Sequence, residues 1–132
     1  MLAPAVAAAP AAAGAGDVGV RVGPGPVAQT VARGLYRLDI RISPNAGGLR
    51  TNTFVVRTTR AGRPVGASVS ARFTMPAMGM PPLGLRLRET APGRARGAGR
   101  KLTMTGLWHI ELHVAPRGAP AFDVLLLDDV RL

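Results

Sequence analysis

The stretch "GLYRLDIRISP", residues 34–44, alternates without a break: Leu35, Arg37, Asp39 and Arg41 fall on one side, Tyr36, Leu38, Ile40 and Ile42 on the other. A period of two is that of a β-strand, whose successive side chains leave opposite faces of a sheet; one charged and one aliphatic face describe a strand half buried in a core. Pro44, with no amide hydrogen for a ladder, ends it. The same texture recurs downstream. "TFVVRTT" (53–59) is rich in β-branched and aromatic residues, which favour strands. "ASVSARFTM" (67–75) puts Val69, Ala71 and Phe73 on one face, and "LGLRLRE" (83–89) sets Leu83, Leu85 and Leu87 inward with Arg86 and Arg88 outward. "KLTMT" and "LWHIELHV", split by Gly106, come next, and "AFDVLLL" (121–127) closes the series. Upstream, "VGVRV" (18–22) offers a first strand before the breaker "GPGP". "PNAGGLRTN" (44–52) and "RAGRP" (60–64) supply turn chemistry, and "APGRARGAGR" (91–100) reads as a basic loop.

No segment sustains a helical period. Seven or eight short strands, with turn signals every eight to twelve residues, predict an all-β fold: an immunoglobulin-like antiparallel β-sandwich. Its interior is expected to hold Phe54, Val56, Val69, Phe73, Leu85, Trp108, Ile110 and Leu112. At 132 residues the chain supports one domain with an ordinary core. Residues 18–132 are assigned to that domain and residues 1–17 to an Ala/Pro-rich linker or tail that has little to bury and is expected to be disordered. The stretch "MLAPAVAAAPAAAGAG" is too short and too often broken by proline to span a membrane, and without a basic start it makes a poor signal peptide.

The chain has no cysteine, which excludes disulfides, thiolate metal sites and thiol catalysis. Its 17 basic and 7 acidic residues give a net charge of +10, a field that favours anionic partners. Nearly all the bases are arginine in an Ala-, Gly- and Pro-rich chain, the pattern that GC-rich coding produces by itself. Arg94, Arg96, Arg100 and Lys101 concentrate charge in one segment and form a candidate contact for an anionic lipid surface. With few aromatic residues to stack on bases, only weak, sequence-blind association with nucleic acid is expected.

The segments "PNAGGLRTNTFVVRTTRAGRPVGASVSARFTMPAMGMPP" (44–82) and "LTMTGLWHIELHV" (102–114) together resemble the YtkA-like family. The matching positions are Asn52; Gly62, Pro64 and Val65; Met75, Pro76, Met78, Gly79 and Met80; Pro92 and Gly93; and Leu102, Met104, Gly106 and Trp108. These are small extracytoplasmic β-sandwich domains, also found at the C-terminus of bacterial copper-resistance and copper-transport membrane proteins of the CopC/CopD kind. The resemblance spans about residues 35–127. It implies an extracytoplasmic, membrane-associated setting, a membrane copper-transport protein or segment as partner, and a link to copper handling rather than an enzyme.

"FTMPAMGMPP" (73–82) gathers three of the chain's five methionines. Thioethers are soft neutral ligands that suit Cu(I) and bind hard cations poorly. Met78 and Met80, two apart, would share a face in an extended segment; Met75 could add a third sulfur if the chain folds back after Pro76, and Met104 is the other candidate. The alternative is that these side chains are packing, filling irregular gaps at the open end of the sandwich. His109, Glu111 and His113 form an outward row on one strand, where the histidines stand about 13 Å apart and cannot share a metal. They read as a solvated face. The serines lie in no nucleophile motif and the few acids are scattered, so no catalytic role is expected.

Overall fold

The computed structural model describes residues 19–132, and the assignment of residues 1–17 to a tail falls outside them. Among the described residues ten strands form two packed layers. In the first layer β1 (Val20–Val22), β10 (Phe122–Val130), β9 (Gly106–Pro116) and β6 (Ala67–Thr74) lie side by side. In the second, β8 (Arg94–Gly99), β4 (Asn52–Arg60), β3 (Tyr36–Ser43) and β2 (Val27–Arg33) do the same, and the two-residue β5 (Arg63–Pro64) extends the end of β4. Strand β7 (Leu83–Ala91) belongs to both: Leu83–Leu87 pair with β6, and Arg88–Ala91 pair with β8 across a register shift.

The all-β sandwich expected from the alternation is the fold found, with corrections in its detail. The described residues hold ten strands rather than seven or eight, and β1 pairs with β10 in parallel, whereas the other named pairings are antiparallel. The segment 91–100 is not a loop, since its residues 94–99 form β8 and join β7 to β4. Small residues are required there: a Cβ at Gly97 would sit 3.2 Å from Leu85 and 3.3 Å from Leu87. The bulk of β7 fills the space that β8 leaves.

The alternation read from the sequence places the core. Leu38, Ile40 and Ile42 of β3 and Trp108, Ile110, Leu112 and Val114 of β9 are buried between the layers, with Phe54, Val56, Val69 and Phe73. Leu85 lies at the margin, half-buried against this cluster. Two ring contacts tie the layers together: Phe54 to Phe73 at 5.1 Å, and Tyr36 to Phe122 at 5.5 Å. Each is an offset, tilted arrangement worth about 1 kcal/mol beyond the area it buries.

Candidate functional site

The connections 23–26, 44–51, 75–82 and 100–105 and the residues after β10 all emerge at one end of the sandwich. The methionines are there because the strands run out there. Met75 follows β6 by one residue and keeps the inward phase of Ala71 and Phe73, so it is only 4% exposed. Pro76 then starts a 3-10 turn, Pro76–Met78, closed by the Met78 amide donating to the Met75 carbonyl (2.9 Å) and the Gly79 amide to the Pro76 carbonyl (3.2 Å). Gly79 takes a left-handed conformation (φ 60°), which glycine adopts without steric penalty.

This turn corrects the expectation of an extended segment in which Met78 and Met80 share a face. The chain folds back after Pro76, leaving Met78 58% exposed and Met80 half-buried against the core. Met104, also half-buried, comes from the neighbouring connection. Its carbonyl accepts the Trp108 indole N–H at 2.9 Å, and its backbone runs close enough to Gly47 that a Cβ there would lie 3.1 Å away. Gly106 has φ +134°, and a Cβ on it would collide with the Met75 methyl. The end thus carries a graded set of thioethers, from Met78 in solvent through Met80 and Met104 to Met75 inside.

Asn52 holds this end in shape. Fully buried, its side-chain amide donates to the carbonyls of Pro44 (2.9 Å) and Ala46 (3.4 Å), and its oxygen accepts the amides of Lys101 (3.1 Å) and Leu102 (3.0 Å). One side chain therefore fastens the connection before β4 to the one before β9, and Leu102 seats its side chain in the core.

Sequence reasoning missed a second buried polar pair nearby. Asn45 Nδ2 donates to Asp128 Oδ1 at 2.8 Å and to the Gly25 carbonyl at 2.9 Å. Burial pushes the Asp128 carboxyl above its ordinary value, the hydrogen bond from Asn45 opposes this, and the charge of Asp129 adds to the rise. The signal was present in the sequence: Val124, Leu126, Asp128 and Val130 share one phase of β10, so an acid falls in the inward register.

The other candidates separate. His109, Glu111 and His113 lie outward as expected, and His113 Nδ1 is 2.7 Å from Asp123 Oδ1 on the facing strand. Among the described residues no group of three His, Cys, Asp or Glu side chains could hold a metal ion. Thioethers are the donor set at the methionine end, which fits a soft monovalent ion and not a hard divalent one. Arg94 and Arg96 point out of β8, whereas Arg100 and Lys101 follow it, with the Lys101 amide bound by Asn52; the four do not form one loop.

Fold and site together define a small β-sandwich domain with a methionine-bearing end. The chain belongs to the YtkA-like family, whose model matches residues 34–113, 80 of its 132 residues. No curated protein matches it. Among solved structures, a DUF4426 family protein from Pseudomonas aeruginosa PAO1 superposes with a TM-score of 0.56 at 14% identity, covering 79% of this chain and 94% of that one. FetP of the uropathogenic E. coli strain F11, recombinantly expressed in the periplasm of E. coli, superposes with a TM-score of 0.51 at 13% identity, covering 80% and 95%. At these identities the likeness is one of fold. Among the described residues no helix is long and apolar enough to cross a membrane.

Proposed function

We propose that this domain is an extracytoplasmic accessory module of copper transport or resistance, and that its methionine end takes up Cu(I) with modest affinity. The observation that supports this most is the graded thioether set, in which Met78 stands in solvent while Met80 and Met104, on two separate connections at the same end, are half-buried against the core. Membership in the YtkA-like family favours the same setting, as does a FetP relative in fold that was expressed in a periplasm. In this reading Met78 makes first contact, Met80 and Met104 complete a neutral sulfur set, and Asn52 and Trp108 keep the two connections in register. Neutral ligands add no buried charge, but a net charge of +10 opposes any cation. Modest affinity suits relay to or from a membrane copper-transport partner better than storage, and the reading assigns no catalysis.

The test is a competition titration of the folded protein against a chromophoric Cu(I) chelator. Wild type should withdraw about one equivalent, and Met78→Leu/Met80→Leu should lose it while keeping its fold, since leucine preserves apolar volume. Absence of copper uptake by wild type would overturn the metal reading. A second reading, a protein-interaction module that binds no metal, is favoured by the exposed side chains of Leu49, Met78 and Leu107 toward the same end. It predicts that the double variant loses a protein partner rather than copper.

A further inference from the structure

We propose that the outer face of the β7-β8-β4-β3-β2 layer docks on an anionic phospholipid bilayer. The register brings arginines from four strands onto this one face. Arg96 of β8 stands directly opposite Arg88 of β7, and Arg57 of β4 directly opposite Arg94 of β8. Arg41 of β3 lies opposite Val55, which is itself opposite Arg96, so Arg41, Arg96 and Arg88 lie along one row across the layer.

Like charges directly opposite each other in a sheet are destabilising, and two such pairs lie side by side here. Relief from within is slight: Asp39, the carboxylate on this face among the described residues, stands directly opposite Arg57 in the register but is engaged by Arg37 (3.6 Å) and the Thr30 hydroxyl (2.8 Å) and forms no ion pair with Arg57. Among the described residues Arg41, Arg57, Arg88 and Arg96 have no ion-pair partner. Biased base composition would scatter arginine over both layers alike, but the opposite outer face is balanced. There Arg21 and Arg72 share the surface with Glu111, Asp123 and Asp129, Arg72 is directly opposite Glu111, and Asp129 binds Arg131, while Arg86, two residues from Arg88 on β7, lies where the two faces meet. The charge is segregated by the fold.

The rest of the face says what it meets. Its other outward positions are short: Ala28, Thr30 and Ala32 on β2, Thr53 on β4 and Ala98 on β8, so the guanidinium groups project above their neighbours. A plane of phosphates can approach such a surface, and cross-strand neighbours about 5 Å apart let one phosphate bridge two guanidinium groups. All five aromatic rings lie on the inner sides of their strands. The face therefore offers no ring to stack on nucleic-acid bases and no aromatic anchor of the kind that dominates protein interfaces.

The proposal does not depend on the copper reading, and the experiment keeps them apart. Co-sedimentation of the full chain would be measured with vesicles of phosphatidylcholine, with and without phosphatidylglycerol, at low and physiological ionic strength. Wild type should bind only when phosphatidylglycerol is present and weaken as salt rises. Each basic residue near an anionic leaflet contributes about fivefold, so Arg41→Gln/Arg57→Gln/Arg96→Gln should lose about a hundredfold. The variant Arg21→Gln/Arg72→Gln/Arg131→Gln removes the same charge from the other layer and should lose far less. Met78→Leu/Met80→Leu should bind as wild type does. Neutralising Arg57 and Arg96 removes one member of each like-charged pair, and Arg57 also faces Asp39, so the first variant should keep a cooperative melt close to that of wild type, which separates lost docking from lost folding. Equal losses in the two triple variants would reduce the effect to net charge and overturn the proposal. So would displacement from the vesicles by a DNA duplex at matched phosphate concentration, which would make the face a nucleic-acid surface.

Discussion

Asn45 and Asp128, 83 positions apart in the chain, meet inside the methionine end through a 2.8 Å hydrogen bond, and each keeps a buried oxygen with no protein partner among the described residues. Those two oxygens, Asn45 Oδ1 and Asp128 Oδ2, are what a single proton on Asp128 could join, because the protonated acid both accepts from an amide and donates back to it. The charged and polar groups around this carboxyl are Asn45, Asp129 and, through its pair with Asp129, Arg131. The raised value makes stability depend on pH in a definite direction. The folded state holds the proton above the ordinary value of 3.8 that the unfolded chain follows, so this group's contribution is full below 3.8 and is lost as pH rises through the folded value. Asp128→Asn mimics the neutral acid, with an acceptor oxygen for the Asn45 amide and a donor nitrogen for its oxygen. Thermal melts across the acid-to-neutral range should show the variant gaining on wild type as pH rises, and the wild-type slope from this group should disappear. A gap that stays constant with pH would mean that folding leaves the titration of Asp128 unshifted.

Gly106 and Met75 form a second coupled pair. Gly106→Ala places a Cβ both at φ +134° and against the Met75 methyl, so two costs add, and a loss of about 3 kcal/mol in urea unfolding is expected. Shortening Met75 relieves only the collision. Met75→Ala should therefore cost less in the Gly106→Ala background than alone, with a coupling of about 1 kcal/mol in the double-mutant cycle. Strict additivity would show that the thioether does not rest on that glycine.

The layers, the core phase and the half-buried strands were legible because alternation is local: Leu38, Ile40 and Ile42 announce their face without knowledge of any partner. Three strands were not, one of them the two-residue Arg63–Pro64 inside a turn, and "KLTMT" (101–105), read in the strand series, is an irregular connection. Val27–Arg33 has only Val27 and Val31 as bulky inward residues and lies beside "GPGP", so its pattern was too thin to read. Arg94–Gly99 looks like a loop because its inward residues are Ala95 and Gly97, and the reason for their smallness is the bulk of Leu85 and Leu87 on another strand. The site divides the same way. The methionines were visible as a cluster, but the 3-10 turn that sets Met78 apart from Met80, and the pairing of Asn45 with Asp128, depend on contacts that sequence spacing does not contain.

Asn52 should be the least replaceable polar side chain at this end. Asn52→Ala leaves two buried amides and two carbonyls without their partner, and at 1–3 kcal/mol for a buried unsatisfied group a loss of about 3 kcal/mol or more is expected. Asn52→Asp keeps the acceptor for Lys101 and Leu102 but presents an oxygen to the carbonyls of Pro44 and Ala46, so it should be destabilising at neutral pH and recover partly in acid. Hydrogen exchange should show the consequence for the site: faster exchange over 101–108 in both variants, with the strands of the opposite end unchanged. Uniform acceleration throughout the chain would assign Asn52 to global stability alone.

Oxidation of the methionines tests the graded set directly. Thioether oxidation follows exposure, so mild treatment with hydrogen peroxide in chloride-free buffer and peptide mapping should find Met78 oxidised several-fold faster than Met80 or Met104, with Met75 last. Silver(I) is a soft, redox-inert stand-in for Cu(I) and can be present during the reaction without generating oxidants of its own. If the sulfurs act together, silver should slow Met78 and Met80 in parallel and reach Met104, while a hard divalent ion at the same concentration should protect none of them. Met78→Leu should then abolish the protection of Met80, because a single remaining half-buried thioether holds the ion poorly. Protection of Met78 alone would describe an isolated surface thioether, and the methionine end would then be a packing and contact surface instead.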